Sequence, residues 1–246
     1  MSSGISPEKI RILFVDDDDD FRNILTFSFQ RKGYQVFSAS GGREAMEIIR
    51  RQPVDVVISD IRMPEGDGIE LLDQIKNHSL KTPIVLLVTG YADIATEDAH
   101  DMGAEALLAK PFDRKVLEET IHRLLTPPGE RWANEQPDLK HELKVKLQFP
   151  SLLSAIEAKV VNVGRGGMYF RLEDRFPNVN DEVSFSLELD LHQIRGTGIV
   201  RWVRCKSPED SSPGCGIEFS YIAENDRVQI LELLEKNQMR AYIPKR

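Results

Sequence analysis

At 246 residues the chain is long enough for two modest domains. Residues 1–127 carry 15 Lys+Arg and 22 Asp+Glu and the remainder 17 and 18, so the acidity belongs to the first half, and neither half has the basic excess of a general nucleic-acid surface. No apolar run reaches membrane-spanning length and no signal-peptide core opens the chain, while Cys205 and Cys215, lacking any CxxC or His/Cys cluster, read as reduced thiols in a cytoplasmic protein.

In chain order, the first half alternates strand-like and helical segments. Ile12-Leu13-Phe14-Val15 is an apolar run that ends in Asp16-Asp17. Phe21, Ile24, Leu25 and Phe29 then recur at helical spacing, with Gly33 as the stop. Val56-Val57-Ile58-Ser59 ends in Asp60, followed by Ile61-Arg62-Met63-Pro64 and the turn Gly66-Asp67-Gly68. Leu71, Leu72 and Ile75 continue the helical pattern; Leu86-Leu87-Val88 ends in Thr89, and Ala106-Leu107-Leu108-Ala109 in Lys110-Pro111. Leu117, Ile121 and Leu124 mark the closing helix. This alternation predicts a parallel sheet with helices on both faces. Three carboxylates, a hydroxyl and an ammonium therefore share the C-terminal edge of the strands, where α/β sheets build sites.

That set has the chemistry to accept a phosphoryl group on Asp60, and roughly residues 9–126 resemble the receiver domain of bacterial two-component response regulators. The resemblance implies a doubly wound five-stranded α/β domain. It assigns phosphoacceptor chemistry to Asp60, Thr89 and Lys110, and a Mg²⁺ site to Asp16, Asp17, Asp60 and the Arg62 carbonyl. Helix capping is the alternative reading for Asp16 and Asp17, and Asp18, Asp19 and Asp20 read as caps or first-turn charges. Lys110 alone could be a surface lysine and Thr89 an ordinary strand end. One departure stands out. Many receivers carry an aromatic switch residue three positions before the lysine, and here that position is Leu107. Tyr91 and Arg62 become the candidates for tuning hydrolysis.

Thr126-Pro127-Pro128-Gly129 breaks the pattern, and the polar stretch through Pro137 reads as a linker. From Leu143 short strand-like runs follow without intervening helices: Leu143–Phe149, Ala158–Val161, Met168–Phe170, Val183–Leu189, Val200–Trp202 and Ile217–Phe219. They predict an antiparallel barrel. A helix beginning near Ala223, with Val228, Ile230, Leu231 and Leu234 as its apolar stripe, closes the chain. The boundaries are a receiver over 1–126, a linker over 127–138 and a small β-barrel over 139–246.

Lys140-x-x-x-Lys144, the loop Asn162-Val163-Gly164-Arg165-Gly166-Gly167 and Gly214-Cys215-Gly216 before a final helix resemble the PilZ domain, which often binds cyclic di-GMP. That family's motifs are Arg-x-x-x-Arg and Asp/Asn-x-Ser-x-x-Gly. Lys140 and Lys144 stand for the arginines, Asn162 and Gly167 fit the second motif, and Gly164 replaces its serine. Arg165 could compensate in part. Lysine neither forks onto phosphate nor stacks on a purine as arginine does. Solvated linker charge is the equal alternative for the lysines, and close packing the favoured one for Gly166.

The two resemblances together imply a response regulator that is not an enzyme beyond its own phosphoryl chemistry. Its donor would be a sensor histidine kinase or phosphotransfer protein, its cofactor Mg²⁺, and its downstream protein target is not legible. With no helix-turn-helix after the linker, no DNA-binding output is expected. Receivers often dimerise through their later helices, so a homodimer is an expected state. The alternative function is an adaptor whose barrel docks a protein and ignores cyclic di-GMP.

Overall fold

The computed structural model describes residues 6–64, 67–90, 94–133, 142–146, 148–173, 175–190, 193–205 and 213–245. The chain forms two compact units: residues up to Ala95 with Met102–Leu125, and Thr96–Asp101 with residues from Thr126 onward.

The first unit is a five-stranded parallel sheet of β1 (Arg11–Val15), β2 (Gln35–Ala39), β3 (Val56–Asp60), β4 (Ile84–Thr89) and β5 (Ala106–Ala109) in the order β2-β1-β3-β4-β5. Ile12, Leu13, Phe14, Val15, Val56, Val57, Ile58 and Val85–Val88 are all at most 3% exposed. Burial on both faces is what makes these strands continuous apolar runs rather than alternating ones. The helices α1 (Asp19–Gln30), α2 (Gly42–Arg51), α3 (Gly68–His78) and α5 (Arg114–Leu125) complete the α/β pattern, and the short α4 (Thr96–Asp101) precedes β5.

Local chemistry sets the helix ends. Asp18 caps α1 by accepting from the Phe21 N–H, and Asp67 caps α3 by accepting from the Ile69 N–H. Asp19 and Asp20 are exposed first-turn charges. Gly33 takes φ +95° just past α1, a conformation a Cβ resists. The expected stripe on α1 needs one correction. Leu25 and Phe29 are buried, but Ile24 is 57% exposed.

The second unit holds a six-stranded sheet of β6 (Glu142–Lys146), β7 (Val161–Val163), β8 (Gly167–Arg171), β9 (Glu182–Glu188), β10 (Gln193–Arg204) and β11 (Gly214–Ile222), ordered β6-β9-β10-β11-β8-β7. Every pairing is antiparallel except β6 with β9. Register shifts at Thr197/Gly198 and Val200/Trp202 bend β10 against β11. Among the described residues no pairing joins the edge strands β6 and β7.

Several expectations are corrected here. Pro128–Arg131, read as the start of a linker, is a turn of helix (α6), and Trp132 behind it is fully buried in the second core against Phe219. Leu152–Glu157 is a helix (α7) that ends just before the run taken as a strand from Ala158. Its signal is a capping box made by Ser151 and Ser154, which a search for Glu or Gln at the third position passes over. The final helix, α8 (Glu224–Asn237), buries Ile230 and packs Leu231 and Leu234, whereas Val228 is 52% exposed. Cys205 is exposed, and burial pushes the Cys215 thiol up to about 12; neither forms a disulfide. No helix among the described residues is long and apolar enough to cross a membrane.

Candidate functional site

The strand order reverses between β1 and β3, which opens a crevice at their C-terminal ends. The carboxylates stand there. Asp16 and Asp17 follow β1, and Asp60 is the last residue of β3. One oxygen from each lies within 4.8 Å of the others. Asp16 is 5% exposed, Asp60 half-buried and Asp17 exposed, so the cluster runs from interior to solvent.

Lys110, directly after β5, closes the group. Its Nζ donates to Asp16 Oδ2 at 2.8 Å and to Asp60 Oδ2 at 2.5 Å. Its backbone N–H donates to the carbonyl of Thr89, the last residue of β4, at 2.7 Å. The peptide bond from Lys110 to Pro111 is cis. Thr89 is buried at the same edge. The Arg62 N–H approaches Asp60 Oδ1 at 3.4 Å. The structure thus brings Asp16, Asp17, Asp60, Thr89, Arg62 and Lys110 to one crevice. Leu107 is half-buried on β5, paired with Leu87, and Tyr91 lies outside the described residues.

The electrostatics follow from burial. Burial pushes the Asp16 carboxyl above its ordinary value, and hydrogen bonds from Lys110 and the Asp18 N–H offset this only in part. For Lys110 burial acts downward, but the bonds to Asp16 and Asp60 outweigh it and the ammonium titrates above its ordinary value. Three converging carboxylates, two of them bonded to the Lys110 ammonium and the third open to water, fit a hard divalent ion that takes oxygen ligands and retains waters.

Three contributors escaped the sequence reading. Lys110 Nζ lies 4.5 Å from the centroid of the Phe21 ring, which itself packs edge-on to Phe112. Arg22 Nη1 donates to the Asp16 carbonyl at 2.5 Å and also pairs with Asp19. A Cβ on Gly68 would sit 2.1 Å from the Asp60 carbonyl oxygen, so α3 approaches the end of β3 as closely as only glycine allows. The available signal for Phe21 and Arg22 was position alone, one helical turn beyond Asp17.

The family model of the response regulator receiver domain matches residues 12–122, and that of the PilZ domain matches residues 130–236. Sporulation initiation phosphotransferase F of Bacillus subtilis is 31% identical over 118 residues, 47% of this chain and 93% of that protein. The chain belongs to the response regulator receiver family and carries a PilZ domain behind the receiver. Regulatory protein AtoC of Escherichia coli is 40% identical over 116 residues, 47% of this chain but 25% of AtoC, so the chain spans about a quarter of that relative. A receiver domain crystal structure from Clostridium thermocellum matches with 28% identity and TM-score 0.45, covering 47% of this chain and 94% of that one.

In the PilZ domain the described members of the expected ligand set fall on β6, on β7, on the loop after it and at the start of β8. Lys140 lies outside the described residues, and Lys144 sits on β6 opposite Ser186 of β9. Asn162 is the middle residue of β7, and its Oδ1 accepts from the Val163 N–H at 2.9 Å. Gly164, Arg165 and Gly166 form the loop between β7 and β8, and Gly167 starts β8 opposite Glu218. The glycines pack tightly, as expected for Gly166, but against the chain's own C-terminal residues.

Proposed function

We propose that this protein is the phosphorylatable partner of a sensor histidine kinase or phosphotransfer protein, modified on Asp60, and that the modification controls its PilZ domain. The observation that carries the reading is the Lys110 ammonium bonded at once to Asp16 and Asp60 in a crevice that also holds Asp17 and Thr89. Mg²⁺ held by Asp16, Asp17, Asp60 and the Arg62 carbonyl would supply charge neutralisation on the incoming phosphoryl oxygens. The protein's own groups do the rest. Asp60 offers a carboxylate oxygen to phosphorus as the bond from phosphorus to the donor's histidine nitrogen breaks and the imidazole leaves, Lys110 turns from carboxylate to phosphoryl oxygens, and the Thr89 hydroxyl donates to the group once it has transferred. Positioning and electrostatics account for most catalysis of such transfers. No separate substrate is processed; the chemistry is the protein's own phosphorylation and dephosphorylation.

A small-molecule phosphodonor with Mg²⁺ tests this by intact mass. One phosphoryl adduct on the wild type and none on Asp60→Asn is expected, and equal yield on the variant overturns the assignment. A second reading, a PilZ domain that docks a protein and takes no nucleotide, is favoured by the packing of the Gly164–Gly166 loop.

A further inference from the structure

Backbone donors in a glycine loop suit phosphate oxygens, but in this PilZ domain they are in use. The Arg165 N–H donates to the Ala241 carbonyl at 2.9 Å, and the Gly166 N–H donates to the Tyr242 carbonyl at 2.8 Å. Arg165 Nε donates to the Arg240 carbonyl at 3.1 Å. Three successive carbonyls of the C-terminal segment therefore take three donors of the loop. The segment is anchored by side chains as well. Tyr242 is 2% exposed and Ile243 0%. The Tyr242 hydroxyl donates to Glu218 Oε1 at 2.6 Å, while Arg201 holds Oε2 of the same carboxylate at 2.7 Å.

The small residues of the loop match this occupant. A Cβ on Gly164 would lie 2.5 Å from the Tyr242 carbonyl oxygen and 2.8 Å from that of Ala241. A Cβ on Gly166 would lie 2.1 Å from the Tyr242 ring. Glycine stands where the family motif has serine, and the space left by its missing Cβ is what lets the C-terminal segment pass.

We propose that residues 240–244 are the standing occupant of this loop and close it to cyclic di-GMP. The inference rests on reading the second unit as a PilZ output domain. The same N–H groups cannot serve the segment's carbonyls and a ligand's phosphate together, and a tethered competitor acts at high effective concentration. Replacing Gly164 by serine should therefore disturb the segment instead of restoring a nucleotide site.

The test uses the full chain with cyclic di-GMP as probe. Calorimetry is run on the wild type, Gly164→Ser and Gly164→Ala, alongside thermal unfolding and residue-resolved amide exchange. No binding is expected from any of the three at ligand up to about 100 µM. Serine and alanine should lower the unfolding midpoint alike, because the cost is the Cβ. The Arg165 and Gly166 amides should exchange slowly in the wild type and at least about tenfold faster in Tyr242→Ala. Should Tyr242→Ala not fold, the wild-type exchange rates and the Gly164 pair decide alone. Micromolar binding by the wild type, or by Gly164→Ser at an unchanged midpoint, overturns the proposal. So does unprotected exchange at both amides in the wild type. Absence of any adduct on the wild type would strike the phosphorylation reading and leave these outcomes as they are.

Discussion

Lys110 is constrained from two directions, by carboxylates at its tip and by the Phe21 ring 4.5 Å away. A cation over an aromatic face is stabilised by about 0.5–2 kcal/mol depending on desolvation. Phe21→Leu should keep the α1 packing but release the ammonium. The phosphorylation rate is then expected to fall several-fold with Mg²⁺ affinity little changed, and Phe21→Tyr should restore it; equal rates in wild type and Phe21→Leu would show that the ring only fills space. Asp17 bears on the proposed Mg²⁺ instead. It is the exposed member of the carboxylate cluster and offers its oxygen directly. Asp17→Ala should weaken Mg²⁺ binding by calorimetry at least about tenfold, and an unchanged affinity would place the ion elsewhere.

Among the ion pairs that tie elements of the receiver together, two differ in kind. Lys76 on α3 and Glu105 before β5 are 0% and 4% exposed and meet at 2.8 Å. The Glu105 carboxylate also accepts from the Val85 N–H of β4, and Lys76 donates to the Pro83 carbonyl. Removing one member strands a buried charge, so Lys76→Met should cost about 3–5 kcal/mol in denaturant unfolding. A loss under about 1 kcal/mol would mean that water reaches the site. The second pair, Arg11 and Asp55, ties the start of β1 to the residue before β3, with two charged bonds and one from the Arg11 backbone N–H. Burial raises the Asp55 carboxyl, but the Arg11 bonds prevail and hold it below its ordinary value of 3.8. A depressed carboxylate stabilises the fold above 3.8, and that stabilisation is lost as pH falls below 3.8 through the folded value. Asp55→Asn should therefore be less stable than wild type at neutral pH, and its unfolding should depend less on pH below about 4; parallel acid titrations would contradict this.

Four of the five receiver strands were legible because a buried strand reads as a solid apolar run, and Asp18 announced the start of α1. β2, largely unburied, carries no such run, and neither it nor α2 was read from the residues. The second unit was less legible. β10 extends from Gln193 to Arg204, yet only Val200–Trp202 reads as a strand, because Gly196 and Gly198 interrupt the pattern where Phe185 and Ile217 crowd the backbone. The helix Leu152–Glu157 hid behind a Ser-Ser capping pair. Within the candidate site, residues that act through charge were visible from their positions at strand ends. Phe21 was not, since an aromatic opening a helical stripe looks like core until the lysine above it is seen. Tyr242 was invisible for a different reason: it is far in sequence from the loop it fills.

At the scale of the whole molecule, the receiver chemistry has value only if the PilZ domain responds to it. Leu107 cannot supply the ring that many receivers swing inward, so on the proposed reading the response travels through Thr89 and the backbone around it as a shift between populated conformations. Hydrogen exchange of the full chain, with and without Mg²⁺ and beryllofluoride as a phosphoryl mimic, reads this directly. The account predicts altered exchange in residues beyond Thr126 as well as around Asp60, Thr89 and Lys110, with both changes absent in Asp60→Asn. Altered exchange confined to the crevice, with every residue beyond Thr126 unchanged, would contradict it.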